Sequence, residues 1–107
     1  MISDHPTAYR QIGNYTVTSD GSVFTQEHTA IHFGNMRRTV PAKRRAITHR
    51  AGIAEIWLFM DGKRIRFRLD RLVASLFLGD RGPDWTVKHI NGDSLDCRLE
   101  NLEWVKA

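Results

Sequence analysis

Glu55-Ile56-Trp57-Leu58-Phe59-Met60-Asp61-Gly62-Lys63-Arg64-Ile65-Arg66-Phe67-Arg68 is the stretch whose reading decides the fold. Two alternating runs flank Asp61-Gly62, and Asp-Gly is the commonest chemistry of a two-residue hairpin turn because both positions need positive φ. The turn sets the pairing: Leu58 opposes Ile65 and Ile56 opposes Phe67, making one apolar face. The other face then carries Trp57, Phe59, Arg64, Arg66 and Arg68. Guanidinium groups bond phosphates or base edges and rings stack on bases, so this face suits nucleic acid. Alternation assigns faces without saying what covers them. Trp57 and Phe59 are equally readable as a second core covered by an N-terminal hairpin.

Working outward toward the C-terminus, Asp70 is placed to cap a short helix, Arg71–Leu78, through its carboxylate. Leu72, Val73, Leu76 and Phe77 form the apolar face of that helix, and Gly79 ends it. A strand is expected over Trp85–Ile90, followed by a turn at Asn91-Gly92-Asp93. A short helical segment near Leu95–Leu102 and a final Glu103-Trp104-Val105 complete the chain. Trp85 and Trp104 read as core residues. Toward the N-terminus, Tyr15–Thr25 alternates around Asp20-Gly21 and reads as another hairpin. Residues 1–12 read as a flexible arm. Residues 13–107 form a single domain, with 26–51 an irregular basic loop broken by Gly34 and Pro41.

Charge is unevenly spread over the 107 residues, whose formal net charge is +4. Arg37, Arg38, Lys43, Arg44, Arg45, Arg50, Lys63, Arg64, Arg66, Arg68 and Arg71 face only Glu55, Asp61 and Asp70 across the middle of the chain. The last quarter is mildly acidic. Such a basic block is the electrostatic footprint of a polyanion-binding surface. The single cysteine, Cys97, cannot close an internal disulfide, which argues against a stapled secreted scaffold. No signal-peptide pattern or membrane-length apolar run is present, so a cytoplasmic protein with no membrane partner is expected.

A larger pattern emerges from Arg71-Leu72-Val73-Ala74 with Phe77-Leu78-Gly79, then Val87-Lys88-His89-Ile90-Asn91-Gly92-Asp93, then Arg98-Leu99-Glu100-Asn101-Leu102-Glu103-Trp104-Val105. It resembles the HNH homing endonucleases of phages and group I introns, and the Tyr15–Thr25 hairpin resembles a segment that often precedes their domain. The resemblance implies a ββα-metal finger and a phage-encoded protein acting in the bacterial host cytoplasm. It also implies that His89 is the general base on the attacking water and that Asn101 orients it. Phosphodiester hydrolysis needs such a base and a cation where negative charge builds up on the phosphate.

The chain departs from the family pattern at several points. Lys88 stands where the family places an Asp or Asn metal ligand, and an ammonium has no lone pair for a metal. Asp70 replaces a histidine that commonly precedes Arg-Leu-Val-Ala, and Asp96-Cys97 replace the usual asparagine pair. The family's third metal residue belongs to a helix after Trp104-Val105, which leads to the expectation of a C-terminally truncated, degenerate member.

The fold class expected is therefore α+β: two β-hairpins, a short capped helix and a truncated ββα-metal, HNH-like finger. The function expected is non-catalytic binding of DNA, in its double-stranded form, with no metal and no cofactor. Arg37, Arg38, Lys43, Arg44, Arg45, Trp57, Arg64, Arg66, Arg68 and Lys88 would make the contacts. A first alternative is a nicking or cutting endonuclease that uses His89 and Asn101 with Mg or Mn, the ion being recruited by Asp93 or Asp96 or replaced by Lys88. A second is a phage inhibitor that binds a host nucleic-acid-processing protein through Trp57 and Phe59. His28 and His32 lack the further ligands of a zinc site. Cys97 has no base partner for nucleophilic chemistry.

Overall fold

In the computed structural model, residues 8–25, 28–31, 37–40 and 43–107 are described. Strands β1 (Tyr9–Ile12), β2 (Tyr15–Thr18) and β3 (Val23–Thr25) form an antiparallel sheet in that order. Tyr9–Ile12 thus belongs to a sheet rather than to the expected flexible arm, because it pairs along the whole of β2, from Tyr9 opposite Thr18 to Ile12 opposite Tyr15. Strands β4 (His28–Ile31) and β5 (Arg37–Val40) pair as a two-stranded ribbon. Strand β6 (Thr48–Arg50) begins the central sheet. The segment 26–51, expected to be irregular, therefore carries three strands; Gly34 and Pro41 lie outside the described residues.

Strands β7 (Ile53–Met60) and β8 (Lys63–Arg68) complete the central sheet in the order β6-β7-β8. The register is the one the Asp-Gly turn predicts, with Leu58 opposite Ile65 and Ile56 opposite Phe67. Asp61 and Gly62 have φ of +53° and +74°, the left-handed pair that matches the twist of the flanking strands. Ile56 and Leu58 are fully buried beside Val17, Val23 and Val73, so one core joins the N-terminal sheet, the central sheet and the helix. Ile65, near the hairpin tip, stays 40% exposed, so that end of the apolar face is only partly covered.

Helix α1 spans Leu69–Leu78. It starts before Asp70, with Arg68 at the N-cap position making no side-chain cap. Asp70 is thus a first-turn residue rather than the cap. Its carboxylate still accepts the Arg71 backbone N–H, and negative charge in the first turn suits the helix dipole. Strands β9 (Trp85–His89) and β10 (Leu102–Lys106) pair antiparallel, with Leu102 opposite His89 and Glu103 opposite Lys88. Between them only Leu99–Asn101 is helical, as one 3-10 turn. The longer helix expected near Leu95–Leu102 is replaced by side-chain-braced turns: Asn91, Asp93 and Asp96 each accept a backbone N–H two residues on.

Candidate functional site

His89 ends β9 with its side chain nearly enclosed. Its Nδ1 lies 3.1 Å from the Asp96 carbonyl and its Nε2 3.0 Å from Asp70 Oδ2. Both partners are acceptors. A neutral imidazole has one N–H, so it would leave a ring lone pair facing either the carbonyl or the carboxylate. Either way, both ring nitrogens are turned toward acceptors of the same chain rather than toward open solvent.

Asp70, Asn101 and Asp96 organise the surroundings of His89. Asp70 is buried, and its carboxylate also binds Arg68 through Nε and Nη2, at 3.3 and 2.9 Å. Asn101, also buried, does not touch the ring. Its Nδ2 donates to the same Asp96 carbonyl at 2.9 Å, and its Oδ1 accepts the Asn91 N–H at 2.8 Å. Asn101 thus bears on the histidine only through the carbonyl they share. The Asp96 carboxylate is gripped by Arg98 Nε and Nη2, both at 2.8 Å, and by Asn91 Nδ2 at 2.9 Å. The Arg98 hydrogen bonds hold that carboxyl well below the usual range and raise the guanidinium in turn.

Lys88 points away from His89, as neighbours on a strand must. It is exposed, with Nζ 3.8 Å from Glu103 across the ladder. The donor set does not fit the metal that the resemblance implies. Residue 88 is a cation, Asp70 is committed to Arg68 and His89, and Asp96 to Arg98 and Asn91. Among the described residues no three His, Cys, Asp or Glu side chains converge on one point. Cys97 is buried, and desolvation pushes its thiol up to about 12, which keeps it protonated and unreactive.

The central sheet gathers the other expected residues. Arg64 lies over the Trp57 ring at 4.4 Å and Arg66 at 5.7 Å, so the half-buried ring packs against the arginines of β8 rather than being sealed in a second core. Phe59 beside it is 58% exposed. Buried Glu55 holds Arg66 and Arg50 at 3.5 Å each. Arg68, on the same face, reaches the other way to Asp70, linking the basic sheet to the histidine. Lys43, Arg44 and Arg45 are docked along β3: Thr25 N–H donates to the Lys43 carbonyl, Arg45 N–H to Val23, and Arg44 bonds Ser22 Oγ. Arg37 and Arg38 fall on β5. Trp85 and Trp104 are half-buried, each under an arginine, Arg81 at 5.0 Å and Arg71 at 5.2 Å. They serve as stacking platforms more than as core.

Asp70 is the site residue that sequence reasoning misread. A helix-start carboxylate looks like a cap, and its partner lies 19 residues downstream. The available signal was its position: it replaces the histidine that the resemblance puts there.

Comparison with known proteins supports the resemblance. Residues 67–107 match a family model described as HNH endonuclease. An uncharacterised HNH endonuclease of Acanthamoeba polyphaga mimivirus is 35% identical over 85 residues, covering 77% of this chain and 21% of that protein. The structure of the HNH homing endonuclease I-HmuI, solved in a study of its DNA binding and cleavage, superposes with a TM-score of 0.70 at 27% identity. That match covers 92% of this chain and 52% of the other. The chain thus spans about a fifth of the viral relative and about half of the solved one.

Proposed function

Because this chain belongs to the HNH endonuclease family, we propose that it binds DNA through its basic central sheet and does not cut it by a metal-assisted route. One observation carries the reading: both nitrogens of His89 are engaged, one by the Asp96 carbonyl and one by the Asp70 carboxylate. A general base needs a lone pair within reach of the proton it removes. Here each ring nitrogen faces an acceptor of the protein's own, so neither is directed at a water or a phosphate, and the residue before His89 is a lysine paired with Glu103.

The binding half of the reading rests on Trp57, Arg64 and Arg66. The two guanidinium groups keep N–H donors beyond those used internally, and the Trp57 ring is half-buried against them rather than sealed in the core. DNA, double-stranded by expectation, would be held chiefly through phosphates, with affinity falling steeply as salt rises. Lys43 and Arg44 add exposed positive charge on the N-terminal sheet.

The test incubates the protein with supercoiled plasmid in Mg²⁺ or Mn²⁺, alongside an electrophoretic binding assay. Retarded but intact plasmid is expected. Nicking that disappears in His89→Ala would instead establish the alternative, an endonuclease in which Asp70 withdraws toward Arg68 and frees the ring. Absence of binding at low salt would remove the proposal altogether.

A further inference from the structure

Beside β8, the edge strand of the central sheet among the described residues, a groove of about 350 Å³ runs between that strand and α1. Its floor is apolar, from Phe67, Leu72 and Leu76, and its rim carries Arg66, Arg68 and Arg71. We infer that this groove is a binding site for one unpaired nucleotide, its base on the floor and its phosphate on the arginine rim. The inference rests on the DNA-binding reading above and adds to it the kind of strand recognised.

The electrostatics favour an anion. Each rim arginine is braced from behind: Arg66 by Glu55 at 3.5 Å, Arg68 by Asp70 at 2.9 Å, and Arg71 by the Trp85 carbonyl at 3.1 Å. The two carboxylates are buried beneath the surface they organise. A guanidinium has five N–H donors, so each arginine keeps donors for a ligand after these bonds are made. Its side chain is already ordered, which lowers the entropy lost on binding.

The floor favours an unpaired base. Inside a duplex a base offers its edge, whereas an apolar floor is met by a ring face, which only an unstacked nucleotide presents. The volume sits at the small end of ligand clefts, roughly 300–1,000 Å³, and suits a single nucleotide rather than a paired stack. The rim also continues into the two surfaces already described. Arg66 lies over Trp57, and Arg68 binds the carboxylate that holds His89. A strand crossing the basic sheet would thus reach the groove next and the histidine after it.

The test compares, by fluorescence anisotropy, a blunt duplex with the same duplex carrying a three-nucleotide single-stranded gap. The gapped probe is expected to bind at least tenfold more tightly. Ser75→Trp fills the groove from α1 without removing a cation, and is expected to erase that preference while leaving blunt-duplex affinity within twofold. On the wild-type protein, a photo-crosslinking iodouracil in the gap is expected to label residues 66–76. This measurement stands even if Ser75→Trp fails to fold. Equal affinity for the two probes, or crosslinks only outside 66–76, overturns the groove assignment and leaves duplex binding standing. No affinity for either probe overturns both. Groove-dependent binding of a polyglutamate peptide without any gap preference would overturn the assignment in favour of a protein partner.

Discussion

The histidine loop and the basic sheet are both rich in polar side chains, but they use them in opposite ways. Around His89 nearly every polar group meets a partner from the same chain: the ring nitrogens face the Asp96 carbonyl and the Asp70 carboxylate, Asn101 accepts the Asn91 N–H and donates to the Asp96 carbonyl, and Arg98 donates to Asp96 and Glu100. On the central sheet, Glu55 and Asp70 steady Arg66 and Arg68 from within and Trp57 packs against Arg64 and Arg66, while the outward donors and the exposed ring of Phe59 are left available. A closed network raises local stability and offers little to a ligand. A braced cation does the reverse, since its geometry is set before the ligand arrives.

The comparison breaks most visibly at Asp70. Asp70→Ala removes the buried acceptor that His89 and Arg68 share, and a loss of about 2 kcal/mol is expected in urea unfolding. A loss near zero would mean that the loop is not closed in the way described. Next comes the sheet: Arg64→Gln, Arg66→Gln and Arg68→Gln together should weaken duplex binding about 100-fold at moderate salt. The slope of log K against log salt should also flatten by roughly 2 to 3. Unchanged affinity in a folded triple variant would reject the sheet as the interface.

Asn101→Ala sharpens the contrast from the other side. It removes a buried group that bonds two backbone atoms, and a cost of about 2 kcal/mol is expected, with DNA affinity retained if the loop only supports the fold. Asp96→Asn should have a smaller effect and a pH signature. The folded carboxyl is held below its ordinary value, so its contribution is present above the unfolded range, near pH 4, and is lost as pH falls through the folded value. The melting temperatures of wild type and variant should therefore differ by a few degrees at pH 7 and converge in strong acid. Last, native Cys97 should resist iodoacetamide at pH 8, because a buried thiol with a pKa of about 12 supplies almost no thiolate. Rapid alkylation would show the loop opening.

The parts legible in the sequence were those set by local chemistry. Asp61-Gly62 dictates a turn, and the turn dictates which of Ile56, Trp57, Leu58 and Phe59 share a face. The Val17 and Val23 strands followed from alternation around Asp20-Gly21. What escaped was long-range or backbone-driven. Tyr9–Ile12 and Thr48–Arg50 are edge strands with little burial, so they show no apolar alternation to read. Ala51-Gly52 makes a second left-handed turn, but alanine seldom adopts positive φ and gave no signal. Of the site, His89, Lys88 and Asn101 were visible through the family pattern. The route by which Asn101 acts, and the Asp70 partnership, depend on which atoms the tertiary fold brings together.

The tip of the N-terminal hairpin bears on whether the finger can be transplanted. Gly21, at φ +83°, sits so near the Cys97 carbonyl that a Cβ there would approach its oxygen to 3.1 Å, and Leu99 N–H donates to the Ser19 carbonyl at 2.8 Å. Ser94 similarly leans on Gly52 through a hydroxyl bond to its carbonyl. The stretch that matches the family model begins at residue 67, yet its loop is held in shape by main-chain atoms from residues 19 and 52. A graft of residues 67–107 alone onto another scaffold would carry the motif and leave behind the struts that keep it rigid.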